Sequence, residues 1–138
     1  MTALTAFKTL SGRHLIDAEL AAAEGSRVHL VIDPATEQKI GEVIDASPAQ
    51  IERAIGVANA AQKLWRKVNS HRRCELLHEA AHAMREARAL VGEMLTREMG
   101  KPYKESVDEA TWSATATDYY AEVGRHEAGR VLGSLVVK

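Results

Sequence analysis

Cysteine is almost absent from this sequence. The one thiol, Cys74, has no partner for an internal disulfide, so a disulfide-stapled scaffold is excluded. A reducing cytoplasm is the expected setting. Aromatics are also scarce, with one Phe, two Trp and three Tyr. Excess charge of either sign is missing: 18 basic residues face 19 acidic ones, a formal net charge of −1. That balance gives no electrostatic reason to bind nucleic acid or an anionic membrane. No apolar run approaches the roughly 20 residues that span a bilayer. The first residues, MTALTAFKTLSGRH, carry no long apolar core and do not read as a secretory signal.

What remains is a soluble globular balance, 46% hydrophobic and 27% charged, in a chain of 138 residues. That length suits one domain. Alanine is abundant. An Ala-rich, aromatic-poor chain suits closely packed helices better than a β-sandwich.

Periodicity divides the chain. Residues 1–26 are weakly patterned; only Leu15 and Ile16 read as core contacts, and Ala21 to Ser26 reads as a connector. Val28, Leu30 and Ile32 alternate along a short strand. Asp33-Pro34-Ala35-Thr36 supplies turn formers, and Ile40, Val43 and Ile44 mark a second strand, so residues 27–46 predict a β-hairpin. Such a hairpin is marginal alone and must pack on something. Ser47, Pro48 and Gln50 form a helix start with a capping box. Ile51, Ala54, Ile55, Ala58, Ala61 and Trp65 then recur at helical steps towards an end near Val68-Asn69. Trp65 is expected in the core. A second helix starts at Ser70, with a break expected near Ala87–Ala89, and stops at Gly100 and Pro102. A third runs from about Lys104 to Glu127, and Gly129 ends it. Residues 131–138 read as the start of a strand with no obvious earlier partner, so the end of the chain is expected to be a cut through a larger domain.

Several short motifs fall in a familiar order. Asp33-Pro34-Ala35-Thr36 and Ile40-Gly41-Glu42-Val43 are followed by Ala60-Ala61-Gln62-Lys63-Leu64-Trp65, then Arg72 and Leu76-Leu77. Glu98-Met99-Gly100-Lys101-Pro102 and Tyr119-Tyr120-Ala121 come next. Together they resemble the front of the NAD(P)-dependent aldehyde dehydrogenases over roughly residues 33–133. The hairpin resembles the family's "NPATG…IGEV" stretch, with Asp33 where Asn is commoner; both residues suit a turn. The other stretches are similar to the family's Trp-ended first helix, its "E-x-GKP" segment and its "YYA" helix.

The resemblance implies an α/β fold, of which this part is a β-hairpin, three to four helices and a terminal strand, predominantly helical. It implies an N-terminal extension at 1–26, the first part of the cofactor-binding domain at 27–128, and the start of an oligomerisation arm at 129–138. The family oxidises an aldehyde to a carboxylic acid. A cysteine thiolate attacks the aldehyde, hydride passes to NAD or NADP, and a glutamate-activated water releases the acid. Those groups are expected beyond this sequence, which also contains no G-x-G-x-x-G or G-x-x-x-x-G-K-[ST] phosphate loop. No catalytic residue, cofactor-binding residue or metal ligand is therefore expected here. The implied partners are the rest of the enzyme, in the same or a separate chain, and further copies in a homo-oligomer.

Cys74 has Arg72 and Arg73 nearby, and cations lower a thiol pKa. Without a positioned base or oxyanion site it reads as a small helical residue. His71, Cys74, His78 and His82 share one helical face, a spacing that can hold zinc; their charged neighbours favour a plain solvated face. Glu98, Lys101 and Lys104 read as a solvated charged loop. Asp108 and Trp112 stand one helical turn apart. The resemblance puts them on the side of their helix that lines the aldehyde tunnel. There Trp112 would supply an apolar wall, and Asp108 would favour cationic or hydroxylated aldehydes. Their structural reading is a core Trp and a surface Asp. The leading expectation is thus an aldehyde dehydrogenase segment, inactive alone. Its rival is a stand-alone helical interaction module without catalysis.

Overall fold

A computed structural model describes residues 1–126. The terminal strand expected at 131–138 and the stop at Gly129 lie outside the described residues. The elements are α1 (Ala3–Leu10), β1 (Arg13–Ile16), β2 (Glu19–Ala22), β3 (Val28–Ile32), β4 (Lys39–Ile44), α2 (Pro48–Trp65), α3 (Ser70–Met99) and α4 (Tyr103–His126).

The expected hairpin is present as antiparallel β3–β4, with Val31 opposite Gly41 and a bulge after Val31. Its loop is closed by Asp33, which is buried. Asp33 Oδ1 accepts the backbone N–H of Ala35 at 2.9 Å and of Thr36 at 3.3 Å. The Asp33 carbonyl accepts the N–H of Glu37, which sits at φ 57°.

Residues 1–26 depart from the expectation of a weakly patterned extension. They hold α1 and a second antiparallel hairpin, β1–β2. Its two-residue turn is Asp17-Ala18, both at positive φ. Tight hairpin turns normally announce themselves with Asn-Gly or Asp-Gly, and Ala in a left-handed conformation carries no such signal. The stretch read as a connector is pinned: Gln50 donates from Nε2 to the Ala22 carbonyl at 2.8 Å and accepts the Glu24 N–H at 3.0 Å. Ile16 is buried as expected, whereas Leu15 is exposed.

The capping box on α2 forms as the sequence predicts, with Ser47 and Gln50 exchanging bonds. The helix ends at Trp65, and the tighter bonds of Lys67 and Val68 to Leu64 and Trp65 close it. Trp65 is not in the core. It is 37% exposed, and Ile51, Ile55 and Leu64 are more so. The helix leans on β1 through one open groove lined by Ile16, Ala54, Val57 and Ala58, and little of its apolar stripe is covered.

The core lies between α3 and α4. Asn69 caps α3, accepting the Arg72 N–H at 2.8 Å. The helix then runs unbroken for 30 residues, about 45 Å. The break expected near Ala87–Ala89 does not occur, because Ala and Arg are strong helix formers and no Gly or Pro intervenes. Gly100 ends α3 in the left-handed conformation at φ 72°. Pro102 follows, and α4 returns antiparallel, bringing Ser106 to Thr96, Thr117 to Met84 and Glu122 to His78. Buried residues at this seam are small: Cys74, Ala81 and Gly92 from α3, and Ser106, Ala110, Ala114 and Ala121 from α4. Small side chains such as these let the two helices approach closely.

Candidate functional site

Two of the sequence motifs meet in space. Pro34 lies against Gly100, where an added Cβ would stand 2.8 Å from Pro34 Cγ. Arg97 Nη1 reaches Asp33 Oδ2 at 3.8 Å. The hairpin loop therefore docks on the C-terminus of α3, and Asp33 serves the turn and that joint together. Phe7 of α1 fills the space that Gly41 leaves open on β4, at 3.8 Å.

Asp108 and Trp112 share one side of α4, and both are exposed. Trp112 is 72% exposed, so the reading of a core Trp is corrected: its ring points away from the α3–α4 seam. Tyr119, Tyr120 and Val123 are also exposed further along the helix. The two tyrosine rings stack edge-on at 5.2 Å. Trp112, Tyr119 and Tyr120 thus leave aromatic surface exposed along α4.

Of the charged residues near the helix break, Lys101 pairs with Glu109 rather than with Glu98. That bond pushes the Lys101 ammonium up, aided by the charges of Glu105 and Asp108. Lys104 is exposed, and Glu98 borders a shallow pocket with Phe7, Leu10 and Met94.

The four residues expected to share a face of α3 separate into one pair and two single residues. His71 pairs with Glu75 at 3.3 Å, and His82 is exposed. Cys74 and His78 face α4. His78 Nδ1 lies 2.6 Å from Asp118 Oδ1, and its Nε2 lies 2.9 Å from Glu122 Oε1. Cys74 donates from Sγ to the same Glu122 oxygen at 3.4 Å. Arg85 pairs with the other oxygen of Asp118. The bonds to Glu122 and Asp118 raise the His78 pKa. Asp118 is lowered by His78 and then Arg85, and Glu122 by His78 and then Cys74. Burial pushes the Cys74 thiol up, and the Glu122 carboxylate adds to it. A raised thiol is a poor nucleophile at neutral pH. Asp118 and Glu122 lie off the apolar stripe by which the sequence marks α4. Their signal is a second i, i+4 pair, placed opposite Cys74 and His78 once Gly100-Lys101-Pro102 folds α4 back.

Two hairpins, a capped helix and a long antiparallel helical pair joined at a Gly-Lys-Pro stop define a predominantly helical α/β arrangement. The sequence matches the aldehyde dehydrogenase family profile over residues 21–136, and the chain belongs to that family. It is 32% identical over 119 residues to the 3,6-anhydro-α-L-galactose dehydrogenase of Vibrio sp. (strain EJY3), covering 86% of this chain and 25% of that protein. It is 31% identical over 121 residues to the NADP-dependent glyceraldehyde-3-phosphate dehydrogenase of Pisum sativum, covering 88% and 24%. Among solved structures, the NAD-dependent benzaldehyde dehydrogenase of Corynebacterium glutamicum superposes with a TM-score of 0.81 at 26% identity, over 89% of this chain and 27% of that one. Betaine aldehyde dehydrogenase of Staphylococcus aureus, in complex with NAD+, superposes with a TM-score of 0.83 at 24% identity, over 97% and 27%; that likeness concerns the fold. The chain thus spans about a quarter of the length of the relatives it matches. Among the described residues, no helix is long and apolar enough to cross a membrane.

Proposed function

We propose that this chain acts as the N-terminal segment of an NAD(P)-dependent aldehyde dehydrogenase, which oxidises an aldehyde to a carboxylic acid, and that it is inactive alone. The observation that carries this reading is the uncovered apolar surface in a chain a quarter as long as its relatives. Leu64 of α2 and Trp112, Tyr119 and Tyr120 of α4 are each more than 60% exposed. The remainder of the enzyme, in the same or a separate chain, covers those faces, and the whole assembles as a homo-oligomer. Residues 27–128 belong to its cofactor-binding domain, and 129–138 begin its oligomerisation arm.

Relatives carry NAD or NADP in their names, so the complete enzyme uses one of these. This chain alone is expected to bind neither. The N-termini of α2 and α3, which would attract a phosphate, are closed by Ser47 and Asn69. In the complete enzyme Asp108 and Trp112 line the route of the aldehyde. Trp112 gives an apolar wall, and Asp108 selects for a cationic or hydroxylated substrate.

The test is an assay of the purified chain with NAD+ or NADP+ and a panel of aldehydes, read as formation of the reduced cofactor. No turnover is expected, and turnover would overturn the reading. Sedimentation gives a second reading. Association through the bare faces supports a segment lacking its cover. A monodisperse monomer with one cooperative thermal transition supports the rival, a stand-alone helical module.

A further inference from the structure

We propose that Cys74, His78 and Glu122 form a divalent-metal site on the α3–α4 seam, with zinc the ion that best suits its sulfur, nitrogen and oxygen donors. The site draws two ligands one turn apart from α3 and a third from α4. Their ligand atoms all lie within 4.8 Å of one another. Zinc holds sulfur at about 2.3 Å and nitrogen or oxygen at about 2.0–2.2 Å, so tetrahedral ligands stand roughly 3.4–3.6 Å apart. Here Nε2 and Oε1 are 2.9 Å apart, and Sγ and Oε1 3.4 Å apart. Glu122 Oε1 thus already stands near ligand spacing from both partners, and the sulfur and the ring nitrogen, within 4.8 Å of each other, close on the ion by side-chain rotation. Thiolate and imidazole favour zinc over magnesium or calcium, which prefer oxygen alone.

A second observation points the same way. His78 turns its other nitrogen, Nδ1, onto Asp118, which Arg85 pairs with in turn. A carboxylate on the far nitrogen of a metal-ligating histidine fixes the ring, so the near nitrogen is aimed at the ion and takes it once its proton leaves. Cys74 is buried, while His78 and Glu122 are about 40% exposed, so an ion has a path from solvent. A water completes the four ligands, as in sites with three protein donors. In the absence of metal, a protonated His78 holds positive charge between the two carboxylates. The ion takes over that role: the Nε2 proton and the Cys74 thiol proton leave to solvent as the two metal bonds form. The third ligand comes from a different helix, so spacing along α3 alone does not bring the set together.

Zinc and cobalt(II) binding to the full 138-residue chain test the site. The parent chain is expected to bind one ion and, with cobalt, to show tetrahedral d–d absorption together with a thiolate charge-transfer band. Cys74→Ala removes the charge-transfer band and weakens zinc binding at least 100-fold, on the order of a lost ligand. His78→Gln does likewise to affinity. Asp118→Asn weakens binding about 10–100-fold, the usual cost of removing an outer carboxylate. His71→Gln, on the neighbouring turn, leaves affinity unchanged. A parent chain with no saturable binding overturns the proposal. So does a Cys74→Ala or His78→Gln chain that binds as tightly as the parent.

Discussion

Replacing Gly92 by Ala places a methyl group on the side of α3 that faces α4. That methyl would stand 2.5 Å from Val107 Cγ2, 3.1 Å from Val107 N and 3.2 Å from Val107 Cα. Val107 has few alternative rotamers in a helix, and its backbone cannot yield without moving α4. Relief requires the two helices to part, and overpacking of that kind costs about 1–3 kcal/mol. Against this stands a helix-propensity gain of about 1 kcal/mol for Ala over Gly. The net expectation is a loss of roughly 0–2 kcal/mol. Gly56 supplies the control. It lies on an exposed face of α2 with nothing within 4 Å of an added Cβ. Gly56→Ala should therefore stabilise by about 0.5–1 kcal/mol. Urea unfolding followed by far-ultraviolet circular dichroism compares the two. With a slope near 2 kcal/mol per molar, the midpoints should separate by about 1 M, Gly92→Ala being the lower. Equal upward shifts in both variants would refute the close packing of α3 on α4.

Asp33→Ala should lower stability by about 1–3 kcal/mol, because it leaves the N–H groups of Ala35 and Thr36 without their acceptor. Asp33→Asn keeps that oxygen and should recover most of the loss in the same unfolding assay; equal losses would show that the turn bonds are not what holds the loop. The His78 pair predicts a pH dependence in chelator-containing buffer. The raised His78 pKa contributes stability that is complete below about pH 6.5 and is lost as pH climbs through the folded value. The lowered Asp118 and Glu122 values contribute stability that is present above about pH 4.5 and is lost on acidification through theirs. The melting temperature should thus peak between those limits, and His78→Gln should flatten its fall on the alkaline side; an unchanged profile would deny His78 that part.

Local chemistry in the sequence determined a good deal. Ser47, Pro48 and Gln50 declared the start of α2, and Gly100 with Pro102 declared the end of α3, because caps and breakers act within one turn of chain. Alternation through Val28, Leu30 and Ile32 declared the main hairpin, and the order of short motifs declared the family. The tight turn at Asp17-Ala18 was illegible, since Ala seldom occupies that conformation and nothing in its neighbours compensates. Burial was illegible in a different way. Periodicity locates an apolar stripe but not what covers it, so Trp65 and Trp112 read as core candidates and are exposed. Only the tertiary structure decided which faces met. It brought Asp33 to Arg97 across the hairpin loop and set Asp118 and Glu122 of α4 against His78. Contacts between helices depend on the angle and register at which the chain turns back, and those are set by small residues at the seam rather than by the charged residues they bring together.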